Sequence, residues 1–136
     1  MSYTREIQIE FNHCDPAGMV FYPRYFEMIN SVIENFFADV VGRSFADIHE
    51  AAGSGVPTVN IETKFMHPSR LGEIVLFALR VSKLGQSSAT FAITASLHEK
   101  KRMHTNITVV WMENWKTHRW PAEMQKTMQN FMENNA

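Results

Sequence analysis

The chain has 136 residues, 45% of them hydrophobic and 20% charged, with a formal net charge of −1. That composition is ordinary for one globular domain with a single core, spanning 1–136, and without a basic block nucleic-acid binding has little electrostatic support. No apolar run is long enough to cross a bilayer, and one cysteine, Cys14, rules out an intrachain disulfide.

Residues 3–11 alternate, with Ile7, Ile9 and Phe11 on one side and Glu6, Gln8 and Glu10 on the other, which predicts a strand. A turn follows over 12–18. From Pro23 the period changes to threes and fours through Tyr25, Phe26, Ile29, Val32, Ile33, Phe36, Phe37, Val40 and Val41, and Gly42 is a plausible stop. Pro23 itself suits the first helical turn. Residues 43–56 suggest a short helical piece ending in the loop Gly53-Ser54-Gly55. From Pro57 alternation returns through Val59, Ile61, Thr63 and Phe65. Further strands are predicted over 73–81, 89–98 and 104–112, with breaks at 68–72, 83–87 and 99–102, each short enough for a hairpin. The last break, Glu99-Lys100-Lys101-Arg102, reads as a polar hairpin tip. Pro121 opens a final amphipathic segment carrying Met124, Met128 and Phe131, expected to dock as a helical tail. One strand, one long apolar helix and four more strands make a two-layer α+β domain with an antiparallel sheet curled around the helix.

The chemically informative stretch is FNHCDPAGMVFYPRYF, residues 11–26. It sets Asp15 in a Pro16–Gly18 turn just ahead of the helix opened by Pro23. Helix N-termini carry unpaired N–H donors and partial positive charge. A carboxylate beside such donors can attack a carbonyl, or activate water to attack it, while the donors hold the carbonyl oxygen. Acyl transfer is therefore the leading chemistry. The competing reading of Asp15 is a turn or cap residue. Cys14 with His13 as its base is a weaker nucleophile candidate, since neighbouring residues of an extended chain point apart. His13, Cys14 and Asp15 are too closely spaced for a typical zinc site, and no metal or other cofactor is implied.

The same stretch resembles the 4-hydroxybenzoyl-CoA thioesterase group of the hot-dog-fold thioesterases, and the element order matches that fold over nearly the whole chain. The resemblance implies a curved, five-stranded antiparallel sheet wrapped around one long central helix, followed here by a helical tail. It places Asp15 at the catalytic carboxylate and the Tyr22 main-chain N–H on the thioester oxygen, with Gly18 admitting the substrate closely. Phe21 and Tyr25 become candidates for lining the acyl pocket, with core packing the alternative for Tyr25. His13 stands where close relatives often carry an acid, and is expected to be a hydrogen-bonded loop residue near the substrate. The resemblance also assigns the coenzyme A phosphates to the hairpin with Lys83, Ser87 and Ser88, with Arg70 a second candidate; a polar turn is the competing reading of each.

Hydroxybenzoyl-specific relatives carry an acid on the central helix at the position of Asn30. The amide can still bond a phenol but lacks the charge, so the expected acyl group is aryl or short- to medium-chain. Relatives form continuous-sheet dimers, often paired into tetramers, with active sites at a subunit interface, so a homodimer or homotetramer is expected. The expected activity is hydrolysis of an acyl-CoA thioester in the cytoplasm, with Asp15 as nucleophile or general base. The start of the chain shows no apolar signal region, and a lone cysteine fits a reducing compartment. Two rivals from other classes are a non-catalytic module binding acyl-CoA or acyl carrier protein, and a hydratase or dehydratase. The Asp–His loop signature of the latter is absent.

Overall fold

A computed structural model describes residues 2–134. The alternation at the start forms β1, Tyr3–Gln8. It ends earlier than the pattern predicts. The N–H of Ile9 is taken by the Glu73 carbonyl (2.8 Å), and the chain turns into a short 3-10 segment, Phe11–His13, that swings Phe11 out to 84% exposure.

The helix α1, Pro23–Phe36, has proline at its first turn and buries Tyr25, Met28, Ile29, Val32, Ile33 and Phe36. That stripe follows the 3.6-residue period and gives the helix a core-facing side. A π-helical turn, Phe37–Val41, continues it. Gly42, at φ +90°, closes the turn, and its N–H and that of Arg43 both reach the Phe37 carbonyl. Only glycine takes this conformation at little cost. A one-turn helix, α2, Phe45–Ile48, is capped by the Ser44 hydroxyl, which accepts from the Asp47 N–H.

Strands β2 (Thr58–Phe65), β3 (Ile74–Leu84), β4 (Ser88–Leu97) and β5 (Lys100–Val110) complete an antiparallel sheet with β1, in the order β1-β3-β4-β5-β2. The segment 68–72 is therefore not a hairpin. β2 pairs with β5 and β3 with β1, so the connection crosses the end of the sheet over β4 and β5. Short length had suggested a turn; long-range pairing decides otherwise. The β4–β5 turn is also tighter than the charged run implied. It consists of His98 and Glu99, both at positive φ, and Lys100, Lys101 and Arg102 belong to β5. A minor hairpin, β6 (Met112–Glu113) with β7 (Lys116–Thr117), follows.

The helix touches the sheet at both edges and its centre. Phe36 meets Tyr3 of β1 and Phe91 of β4, and Phe26 meets Phe65 of β2. The sheet thus wraps α1, the hot-dog arrangement. The tail helix α3, Ala122–Asn134, docks on β3 and the π turn. Met124 and Met128 are fully buried, and the Phe131 ring lies 5.2 Å from Phe36. Trp120 stacks on Phe37 and reaches the Ser88 carbonyl through its indole N–H. Among the described residues no helix is long and apolar enough to cross a membrane.

Candidate active site

Two short ladders build the Asp15 turn. Cys14 bridges Val20, and Met19 bridges Arg70. The Asp15 N–H donates to the Met19 carbonyl, the Gly18 N–H to the Asp15 carbonyl, and the Ala17 N–H to Asp15 Oδ1 at 2.9 Å. Asp15 is thus an Asx-turn residue, as its competing reading held. That bond engages one carboxylate oxygen, while Oδ2 has no partner among the described residues. Gly18 sits at φ +79°, and a Cβ there would meet no protein atom within 4 Å. The glycine is needed for backbone conformation rather than for room against the protein itself.

Tyr22 is the N-cap residue of α1. The Arg24 and Tyr25 N–H groups are spent on the carbonyls of Phe21 and Tyr22, and the Phe21 N–H on that of His13. The Tyr22 N–H donates to no acceptor among the described residues. A free donor at the positive end of α1 suits a developing oxyanion. The Tyr22 side chain is exposed and lies edge-on to Phe21 and Phe65.

Asp15, half-buried, lies between two cavities. One, of about 500 Å³, is lined by Phe11, Cys14, Asp15, Pro16, Gly18 and Leu71 and is almost wholly apolar. The other, of about 290 Å³, adds Asn12, Phe21 and Arg24 to Cys14, Asp15 and Pro16. A third, of about 250 Å³, lies between Tyr22, Tyr25, Phe65 and Pro68.

The remaining sequence candidates divide into near and far. Phe21 and Arg70 belong to the Asp15 neighbourhood. Tyr25 is buried and donates its hydroxyl to Ser69 Oγ at 2.8 Å, with its ring against Phe65; burial pushes its phenol pKa up. His13 accepts the Glu10 N–H at Nδ1 and faces a separate cavity with Arg5, Glu10 and Glu27. Asn30 is exposed on α1. Lys83, Ser87 and Ser88 sit at the opposite end of β3, a strand spanning roughly 33 Å. There the Ser87 and Ser88 carbonyls are held by the Trp111 N–H and the Trp120 indole. Within one protomer these three residues and Asp15 do not share a site.

Sequence reasoning missed Arg102, which it placed on a polar tip. In the β4–β5 ladder Ala95 faces Met103 and Ser96 faces Lys101, so Arg102 is the extra residue of a β-bulge. The bulge turns it inward to 7% exposure. Its Nη1 donates to the Pro68 carbonyl and to Glu73 Oε1, both at 2.9 Å. The Arg102 guanidinium holds the Glu73 carboxyl below its ordinary range. Bulges leave no mark in hydrophobic periodicity, so the one available signal was that the charged run 99–102 ends directly against the apolar Met103.

Among the described residues no group of three or more His, Cys, Asp or Glu side chains is arranged to hold a metal ion. The protein's structure superposes on several solved structures. A 1,4-dihydroxy-2-naphthoyl-CoA thioesterase from Synechocystis matches with a TM-score of 0.86 at 18% identity, over 96% of this chain and 97% of that one. The gentisyl-coenzyme A thioesterase BH1999 gives 0.85 at 18% identity, over 92% and 98%. A hypothetical protein from Staphylococcus aureus, solved in complex with CoA, gives 0.90 at 12% identity, over 98% and 85%. At these identities the likenesses establish the fold. No curated protein sequence matches the chain. The family model described as the thioesterase superfamily matches residues 17–104, more than half of the chain, starting just past Asp15. Sheet, central helix and family match agree, and the chain belongs to the thioesterase superfamily, a family of thioester hydrolases.

Proposed function

We propose that the protein hydrolyses the coenzyme A thioester of an aryl or short- to medium-chain acid, in the manner of the 4-hydroxybenzoyl-CoA thioesterase group. The observation that carries this reading is the Asp15 carboxylate between two cavities, pinned through Oδ1 and, among the described residues, unpartnered at Oδ2. A thioester carbonyl is strongly electrophilic, and a thiol of pKa about 8.5 leaves without strong acid assistance. One carboxylate and one oxyanion donor then suffice. Oδ2 attacks the carbonyl carbon, giving a mixed anhydride and a thiolate, and water cleaves the anhydride; or Oδ2 takes a proton from the attacking water. The Tyr22 N–H receives the oxyanion in either route. The apolar cavity beside Phe11 and Leu71 suits an uncharged acyl group.

Binding of CoA by the staphylococcal relative supports the choice of thiol. The distance of Lys83, Ser87 and Ser88 from Asp15 supports an assembly in which another copy brings its phosphate grip to this site. Edge strand β2 offers the joint, since both its faces are largely exposed, with Val59, Ile61 and Phe65 uncovered. Pairing two β2 edges gives a continuous-sheet dimer, and two dimers can pair further into a tetramer. A single half-buried thiol fits a cytoplasmic setting.

The test is hydrolysis of an acyl-CoA panel, followed through thiol release. Asp15→Asn is expected to lower kcat by several orders of magnitude, on the scale of about 10⁴-fold or more. Turnover that survives that substitution at full rate removes Asp15 from the chemistry.

A further inference from the structure

We propose that Arg102, Ser69 and Glu73 form a positioning device for the Asp15 turn. The inference rests on the reading of Asp15 as the reacting carboxylate.

The crossover from β2 to β3 runs directly beneath that turn. The Ser69 carbonyl accepts the Val20 N–H at 2.9 Å, and the Gly18 carbonyl accepts the Leu71 N–H at 3.1 Å. Val20 is the bridge partner of Cys14, next to Asp15, and Gly18 closes the backbone turn that starts at Asp15. Both walls of the turn therefore hang on residues 69–71. Among the described residues these have no further strand partner; the end of the crossover is pinned to the end of β1 by the Gly72 N–H on the Ile9 carbonyl (2.8 Å) and the Ile9 N–H on the Glu73 carbonyl (2.8 Å), and its start is held by side chains.

Arg102 holds that start. Its Nη1 reaches the Pro68 carbonyl (2.9 Å), Ser69 Oγ (3.5 Å) and Glu73 Oε1 (2.9 Å), while Nη2 reaches Glu73 Oε2 (3.4 Å). Glu73 Oε1 also accepts the Arg70 N–H at 2.6 Å. The guanidinium thus ties the start of the crossover to its end. Ser69, fully buried, accepts the Tyr25 hydroxyl from the first turn of α1. The same assembly consequently holds the carboxylate turn and the helix end that carries the Tyr22 N–H. Its construction is costly. Arg102 is buried by a bulge that breaks the β4–β5 register, and among the described residues its Nε has no hydrogen-bond partner. An ion pair with one partner buried and the other partly exposed must offset the desolvation of the buried charge before it adds stability. A planar fork with several donors is, however, suited to fixing a loop.

The experiment compares the parent protein with Glu73→Gln and Ser69→Ala. Steady-state kinetics on an acyl-CoA substrate are read beside the alkylation rate of Cys14, the one thiol, which sits at the base of the turn. Near-UV circular dichroism checks the packing of each variant. Displacing a reacting group by about 1 Å costs on the order of 10²-fold, so kcat is expected to fall about 10- to 100-fold with KM within about twofold. Cys14 alkylation is expected to speed up several-fold in both variants. Ser69→Ala keeps the ion pair and carries the test should Glu73→Gln not fold. Parent-like kcat and parent-like Cys14 reactivity in both folded variants, with Asp15→Asn inactive, overturn the positioning device and leave the thioesterase reading intact. Faster Cys14 alkylation in both, with no acyl-CoA turned over even by the parent, removes the thioesterase reading and with it the catalytic purpose of the device, and supports only the mechanical hold on the turn.

Discussion

Glu73 owes its depressed pKa first to the hydrogen bonds from Arg102, with burial acting in the opposite direction. A carboxyl whose folded-state pKa lies below its unfolded one adds stability above the unfolded value. That stability is lost as pH falls through the folded pKa. The window here lies below the ordinary Glu value of 4.5. Urea midpoints should therefore fall with acidification in the parent protein, and the acid limb should be flatter in Glu73→Gln, which has nothing there to titrate. At neutral pH the same substitution leaves the guanidinium of Arg102 without its counter-charge, at an expected cost of about 2 kcal/mol or more. Equal midpoints for the two proteins across the acid range would falsify this account of the pair.

Helix α1 illustrates how packing, more than capping, stabilises the central element. Among the described residues no side chain caps its N-terminus, and the last turn widens to a π turn before Gly42. What holds it is an aromatic cluster centred on Phe36, whose ring lies within 6 Å of those of Tyr3, Phe37, Phe91 and Phe131. These contacts join β1, the π turn, β4 and the tail helix α3. Phe36→Ala opens a cavity shared by all four and should cost about 3–5 kcal/mol, read from denaturant unfolding. A loss under about 1 kcal/mol would mean that the cluster is not the hub the ring distances suggest. The tail offers an instructive contrast with the start of the chain. Its Met124–Met128–Phe131 spacing foretold docking correctly, because a helical stripe needs a surface to cover. The alternation through Phe11 promised a longer strand, but after the Ile9 N–H meets the Glu73 carbonyl the Glu73 N–H turns back to the Arg70 carbonyl and the ladder ends.

At the scale of the whole molecule, the proposed reading requires a second copy to complete the site. The phosphate-binding candidates lie at the far end of β3 from Asp15, and Val59, Ile61 and Phe65 of edge strand β2 are exposed. Ile61→Lys puts a charge in the middle of that edge without touching the Asp15 turn. Sedimentation should then show a shift from oligomer to monomer, and kcat/KM for acyl-CoA should drop at least about tenfold, since desolvating an unpaired ammonium at an interface is costly. A variant that stays oligomeric and fully active places the subunit contact on another surface.

Local chemistry accounts for much that could be read from the residues in order: the helix from Pro23 to Gly42, the alternating strands, the tail, and the acidic turn with its family likeness. Each of these depends on periodicity or on a residue's own backbone preference, which neighbours in the chain express directly. The folded molecule alone decided that β2 pairs with β5, that 68–72 crosses the sheet, and that Arg102 turns inward. Those outcomes depend on which distant strand supplies the hydrogen bonds and where one extra residue is tucked into a ladder. They are set by contacts between segments far apart in sequence, and no window of neighbouring side chains carries that information.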